Sequence, residues 1–276
     1  MKFGLSVLIF GHDDVMPYLS LLAESGIEYI EIRGYPPRIE YDDMEYIEEL
    51  RTALFEYNIK IHSFHLPFNN IDISSTSNDK WQKSVDEVLK GVKICKKLGG
   101  TLGVLHPGAK YGEPENKKAA EEASYKGISV IFKECEKHGI KLAVENMLPG
   151  RVGEDFDFFE NLFKKINSQN IGLCFDSSHA NVNGTIYDFL KKSGDKLLAV
   201  HFSDNMGKAD DHFFPFDGNI DWSKIVNILH SISFNSVFML EVAAYDGLTP
   251  LAHIKSYQET VKKLNIKVDR LKAEGF

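Results

Sequence analysis

Cysteine is scarce and badly spaced for chemistry. Cys95, Cys135 and Cys174 are far apart, odd in number and outside any C-x-x-C spacing, which excludes a disulfide framework and a thiolate zinc site and makes a reducing cytoplasm the expected home. Long apolar runs are missing too. Met1 to Phe10 is apolar apart from Lys2, but it ends at Gly11, His12, Asp13 and Asp14, too soon for a signal peptide or a membrane span, so no membrane partner is expected. Positive charge is in deficit, with 32 Lys and Arg against 40 Asp and Glu and a formal net charge of −8. That balance argues against the broad electrostatic footprint by which duplex binders neutralise phosphates. Neither an internal repeat nor a composition shift divides the chain, and 276 residues suit one α/β barrel, so a single domain over 1–276 is expected.

What is present is an alternation. Short apolar runs, each followed by a longer segment of helical period with charged faces, predict parallel strands joined by helical crossovers. Strands are expected near Phe3 to Ile9, Tyr29 to Arg33, Lys60 to His65, Thr101 to His106, Lys141 to Glu145, Gly172 to Asp176, Leu198 to Ser203 and Val237 to Val242. Helices are expected over Asp42 to Tyr57, Asp79 to Leu98, Glu115 to His138, Asp155 to Ile166, Thr185 to Lys192, Trp222 to Ser231 and Pro250 to Leu264. Gly26, Gly99 and Gly139 stand where helices stop. Eight such strands make a (β/α)8 barrel, and the residues after Leu264 read as a C-terminal extension over 265–276.

Side chains able to hold a metal fall at the carboxy ends of these strands: His65, His106, Glu145, Asp176, His201 and Glu241, on strands three to eight. In such a barrel that rim builds the active site, so residues distant in sequence would converge on one pocket. A lone histidine at a strand end is more often a hydrogen-bonded rim residue than a ligand. The weight lies on six successive strands. Imidazole and carboxylate without thiolate suit zinc, manganese or cobalt, one to three ions per chain. Asp176 with His179, and Asp210 with His212, add a carboxylate and an imidazole to one loop each, with Asp210 preferred over Asp211. His12, His62, His138, His230 and His253 are left out of the metal site. His62 is expected on the face opposite His65, packed in the structure.

The segments HLPFNN at His65, VLHPG at His106, AVENM at Glu145, GLCFDSSHA at Asp176 and His179, VHFSDN at His201, DDHFFPFDGNIDW from Asp210 and MLEV at Glu241 carry a resemblance. Over nearly its whole length the chain resembles the xylose isomerase-like barrel superfamily, which contains sugar and sugar-phosphate isomerases and epimerases as well as the endonuclease IV family of abasic-site nucleases. The epimerase branch implies one metal held by Glu145, Asp176, His201 and Glu241. The nuclease branch implies three zinc ions held by those four with His65, His106, His179, Asp210 and His212. Departures are visible as well. The nuclease pattern has Tyr, Cys and Gly where Phe68, Ser178 and Phe216 stand here, keeping only Gly218, and ketohexose epimerases have Arg where Gly207 stands, which counts against a free ketohexose.

The leading expectation is therefore a metal-dependent isomerase or epimerase acting on a sugar, sugar phosphate or related hydroxy-carbonyl compound through a metal-stabilised enediolate. Glu145 and Glu241 would move the proton as acid and base, and His179 would steady the oxyanion. Arg33 and Phe68 are the candidates for binding this small carbohydrate. The alternative is a zinc-dependent abasic-site phosphodiesterase, the one reading in which nucleic acid is a partner. Its weakness is the lack of an Arg and Lys cluster in the strand-end loops, where His12, Arg33, Tyr35 and Arg38 are the best candidates and isolated surface arginines are ordinary. A stacking wall from Trp81, Phe64, Phe68, Phe213, Phe214 and Phe216 competes with plain core packing. A metal-binding scaffold without catalysis is a third class, and a homodimer is plausible at this size.

Overall fold

Eight parallel strands pair in chain order and close on themselves: β1 Lys2–Ser6, β2 Tyr29–Arg33, β3 Lys60–His65, β4 Leu102–Leu105, β5 Lys141–Glu145, β6 Ile171–Asp176, β7 Leu197–Phe202 and β8 Val237–Leu240. This computed structural model describes residues 2–36 and 38–273, with side chains in the last helix through Val268. Around the barrel stand α1 Leu19–Glu24, α2 Met44–Glu56, α3 Asn78–Lys97, α4 Lys117–His138, α5 Phe156–Lys165, α6 Ser177–Val182, α7 Ile186–Ser193, α8 Trp222–Ser231 and α9 Pro250–Ala273. The (β/α)8 barrel expected from the alternation is the fold.

The period of two within each strand sorts its side chains between two environments. On β2, Ile30 and Ile32 join the large core between barrel and helices, while Glu31 and Arg33 take the other face and are buried as well. Residues of the inward parity on β4 to β7, namely Leu102, Val104, Ala143, Cys174 and Ala199, form a small separate cluster. Above this apolar plug the same parity delivers His106, Glu145, Asp176 and His201. The barrel interior is thus apolar at its amino end and ionisable at its carboxy end, where active sites in this fold are built.

Local differences from the expected elements have physical causes. β1 stops at Ser6, because Val7–Phe10 winds into a 3-10 turn, with the Ser6 side chain accepting from Leu8 N at its start, and buries Val7, Ile9 and Phe10. The six-residue helices α1 and α6 are too short to show a helical period, and of the two only α1 is signalled in the sequence, by the helix-stop Gly26. α9 does not end at Leu264 but runs on as one helix through Ala273, so the expected extension begins as its continuation, and residues 274–276 lie outside the described residues. Gly26, Gly99 and Gly139 all adopt positive φ, as helix stops require. Among the described residues no helix is long and apolar enough to cross a membrane.

Candidate metal centre at the carboxy-terminal rim

Glu145 ends β5 and is 1% exposed. Its Oε2 lies 3.3 Å from His65 Nε2 and 3.2 Å from His106 Nε2, and its Oε1 lies 3.2 Å from His201 Nδ1. Glu241, one residue past β8, places Oε2 3.1 Å from the same His201 Nδ1. Two sets of ligand atoms follow, each with its atoms within 4.8 Å of one another: His65, His106 and Glu145, then Glu145, Asp176, His201 and Glu241. Glu145 belongs to both.

Asp210, His179 and His212 make a third group. Asp210 Oδ2 lies 3.2 Å from His179 Nε2 and 3.1 Å from His212 Nε2. Asp210, not Asp211, is thus the acid placed between the two imidazoles. All nine positions of the larger set come together at one end of the barrel. His12, His62, His138, His230 and His253 belong to neither ligand set.

The hydrogen bonds around these groups decide which ring nitrogen faces the centre. His65, His179 and His212 each bring Nδ1 to a backbone carbonyl, that of Leu66 at 3.0 Å, Asn146 at 2.8 Å and Glu241 at 3.0 Å. A carbonyl only accepts, so each Nδ1 carries a proton and each Nε2 faces the centre, as a lone pair when the ring is neutral and, for His179 and His212 beside Asp210, as a second donor until a cation replaces its proton. His201 is reversed. Its Nε2 lies 2.7 Å from Glu31 Oε2, leaving Nδ1 for the centre. At the end of β6, Asp176 Oδ1 accepts from His179 N at 2.7 Å and starts α6 as its N-cap, so Oδ2 stays free.

Asp176 Oδ2, Glu145 Oε2, His65 Nε2 and Asp210 Oδ1 are all buried without a hydrogen-bond partner. Each such atom costs on the order of 1–3 kcal/mol if left unmatched. Four orphaned lone-pair atoms at one end of the barrel, three from carboxylates and one from an imidazole whose proton points away, fit a divalent cation.

The electrostatics describe a site under tension. Burial raises Asp176 to about 7, reinforced by Glu145, Asp210 and Glu241 and opposed by His179. Glu145 moves the other way: burial alone would raise it, but His201 and His106 hold it well below the ordinary carboxylate range. Glu241 is lowered similarly, with His201 and Arg33 outweighing burial. For His201, burial is overcome by Glu241, Glu31 and Glu145, which hold the ring well above its usual value. Burial takes His106 down to about 4 despite Glu145. Such divergent environments for like groups are characteristic of functional sites.

These groups open into a cavity of about 1240 Å³ whose lining includes Arg33, Phe68, Lys80, Lys83 and Arg151. Several sequence expectations need correction here. Arg33 and Arg38 are not surface arginines: Arg33 is 7% exposed with Nη2 3.4 Å from Glu241 Oε1, and Arg38 is 1% exposed, donating to Val7 O and Tyr35 Oη away from the cavity. Of the six aromatic residues proposed as a wall, only Phe68 lines the cavity. Its ring sits 4.6 Å from His65 and 4.5 Å from His106, with the Arg33 guanidinium 4.9 Å away. Phe64, Trp81 and Phe214 are core. The strand-end loops bring one basic side chain to the cavity besides Arg33, namely Arg151 from the loop after β5, and α3 adds Lys80 and Lys83 to the lining. His62 falls where the β2–β3 register skips a residue and lines a separate cavity at the amino end, half-buried rather than packed.

Two residues that sequence reasoning passed over hold the site together. Glu31 is one. The other is Asp204, whose carboxylate accepts from the backbone nitrogens of Asn205, Phe216 and Ile220 and from Trp222 Nε1 at 2.7 Å. It thereby pins the loop that carries Asp210 and His212. In that loop Phe216 takes a φ of 83°, a left-handed conformation that favours glycine, at the position where the nuclease pattern has one. Ser178, where that pattern has Cys, receives a hydrogen bond from Asn205 Nδ2 at 2.6 Å.

Known proteins carry the same framework. An inosose isomerase of Bacillus licheniformis is 26% identical over 256 residues, covering 88% of this chain and 89% of the relative. A probable endonuclease 4 of Thermotoga petrophila is 27% identical over 170 residues, covering 60% of this chain and 56% of that protein. The crystal structure of a D-tagatose 3-epimerase-like protein superimposes with a TM-score of 0.84 at 25% identity, covering 98% of this chain and 99% of the other. The family model for the xylose isomerase-like TIM barrel matches residues 19–265. With its closed barrel and the match running through nearly all its strands, the chain belongs to the xylose isomerase-like TIM barrel family.

Proposed function

We propose that this protein is a divalent-metal-dependent isomerase or epimerase of a sugar, sugar phosphate or related hydroxy-carbonyl compound. The observation that carries the reading is the placement of two carboxylates from the ends of β5 and β8, Glu145 and Glu241, 3.2 and 3.1 Å from the same His201 nitrogen in the wall of a substrate-sized cavity. A zinc, manganese or cobalt ion held by Glu145, Asp176, His201 and Glu241 would supply Lewis acidity to a carbonyl and its neighbouring hydroxyl. Glu145 and Glu241 are both held ionised, so either can accept a carbon-bound proton, and the other returns one only after it has itself taken up a proton from solvent or from a substrate hydroxyl. His179, kept well above its usual pKa by Asp176 and Asp210 against the pull of burial, is a cationic hydrogen-bond donor for a developing oxyanion. Arg33 fixes Glu241, and Phe68 offers a flat apolar face to a sugar ring. The similarity to an inosose isomerase and to a D-tagatose 3-epimerase-like protein supports the isomerase class.

The test pairs elemental analysis of the purified protein with solvent exchange. Incubation in deuterium oxide with inososes, ketoses and sugar phosphates should incorporate deuterium beside the carbonyl of one substrate class, dependent on added metal. Protein that binds no divalent metal, or metal-loaded protein that exchanges no proton across the panel, would overturn the proposal.

A second reading has its own support. The Asp210, His179 and His212 group lies beyond what one ion needs, and Lys80, Lys83 and Arg151 line the cavity. Both features suit a three-zinc abasic-site phosphodiesterase. Two or three zinc ions per chain together with cleavage of an abasic-site duplex would establish it in place of the first.

A further inference from the structure

Glu31 is 0% exposed, on the inward face of β2, and the chemistry above does not use it. Its Oε2 lies 2.7 Å from His201 Nε2 and accepts a hydrogen bond from Ser63 Oγ at 2.7 Å. A buried carboxylate is expensive unless something matches its charge. Here the match is an imidazole whose other nitrogen faces Glu145 and Glu241.

We propose that Glu31 is a positioning residue of the metal centre: by accepting the Nε2 proton of His201 it commits the ring to present Nδ1 to the ion. The inference rests on the metal-dependent reading of the site. Its basis is the contrast among the imidazoles. His65, His179 and His212 hand their second nitrogen to backbone carbonyls near the strand ends. His201 stands within β7, paired to Asp176 on one side and Met239 on the other, where neighbouring carbonyls are spent on the strand ladder. A ring in that position needs a side-chain acceptor.

The barrel supplies it through an irregularity. β2 and β3 pair Ile30 with Ile61 and then Glu31 with Ser63, skipping His62. Without that shift Glu31 would stand opposite His62, and the Ser63 hydroxyl that aims its Oε2 would be one position away. A carboxylate acceptor does more than a carbonyl. It fixes the ring's orientation and raises the basicity of the coordinating nitrogen, and removal of such outer partners typically costs about 10–100-fold in metal affinity.

The experiment is a titration of metal-free wild type and Glu31→Gln with Co(II), read by visible absorption against a competing chelator at fixed pH. Alongside it, two-bond nitrogen spectra of the imidazoles in the zinc-loaded proteins report which ring nitrogen bears the proton. Glu31→Gln keeps the size and loses the charge. We expect its Co(II) affinity to fall roughly tenfold or more, with the His201 Nε2–H signal of the zinc-loaded protein shifted by loss of its charged acceptor. A merely structural role would instead lower the melting temperature of the metal-free protein and leave both readouts alone, which overturns the inference. Should Glu31→Gln fail to fold, Ser63→Ala decides: it retains the charge but removes the hydroxyl that aims it, so weaker Co(II) binding supports the inference and unchanged binding overturns it. Wild type that binds no Co(II) overturns the proposed function and this inference together, whereas tight wild-type binding that Glu31→Gln matches overturns this inference alone.

Discussion

Glu145 Oε1 lies 3.2 Å from His201 Nδ1 while its other oxygen faces His65 and His106, so one buried carboxylate is shared between two clusters of metal-competent atoms. Glu145→Ala should therefore empty both clusters at once and lower turnover by about 10²–10⁴-fold, the usual range for an acid or base. His65→Ala touches one cluster only. If a single ion does the chemistry, this variant keeps its turnover and its metal. Elemental analysis beside kcat for the two variants separates these outcomes.

A metal-free protein should weaken as pH rises. Asp176 sits at about 7 against an ordinary 3.8, so its protonated form contributes stability that is present below the ordinary value and lost through the folded one. His212, raised to about 9 from 6.5 by Asp210 and Glu241 against the pull of burial, behaves the same way at higher pH. Glu145, Glu241 and Asp210 are lowered, so their contributions are constant above their ordinary values. His106, lowered to about 4, gains stability with rising pH up to its ordinary 6.5 and offsets Asp176 there, so the melting temperature without metal should fall between about pH 6.5 and pH 9, while that of the metal-loaded protein rises, because ions displace protons from their ligands. Parallel curves in the two states would contradict this.

Arg33 Nη2 and Glu241 Oε1, 3.4 Å apart, are both buried, and the guanidinium helps hold Glu241 in its ionised form. Replacing Arg33 with Met should raise the pKa of Glu241 and move the acidic limb of kcat/KM to higher pH. A pH profile superimposable on that of wild type would remove Arg33 from the catalytic electrostatics.

Gly218 has no room for a side chain: an added Cβ would strike Asp204 Oδ1 and the Asn205 backbone. Gly218→Ala should cost about 1–3 kcal/mol through overpacking. Since Asp204 pins the loop bearing Asp210 and His212, the variant should also lose the metal bound by that group before the others. Thermal melting and metal counting on the same sample check both parts.

Much of this protein was legible from its residues. Strand alternation and helix stops marked every strand, with ends displaced by a few residues at most, and the six candidate rim residues stood out because each lies at or beside the carboxy end of a strand. Glu31 was passed over because YIEIR resembles an ordinary half-exposed strand. The available signal was its context, since strands of a parallel barrel are buried on both faces and a Glu within one must have a partner inside. Lys80, Lys83 and Arg151 escaped notice for another reason: they lie on a helix and a loop, where charge usually means solvent.

The sequence by itself determined the alternating elements, the barrel and the imidazole and carboxylate side chains on its rim, because periodicity and strand-end placement are local properties of the chain. Only the tertiary structure decided that Glu145 faces two clusters and that His201 turns the opposite nitrogen to the centre. Those choices depend on strand register and on contacts such as Glu31 with His201, 170 residues apart in the chain, where a one-residue shift between neighbouring strands sets which groups meet.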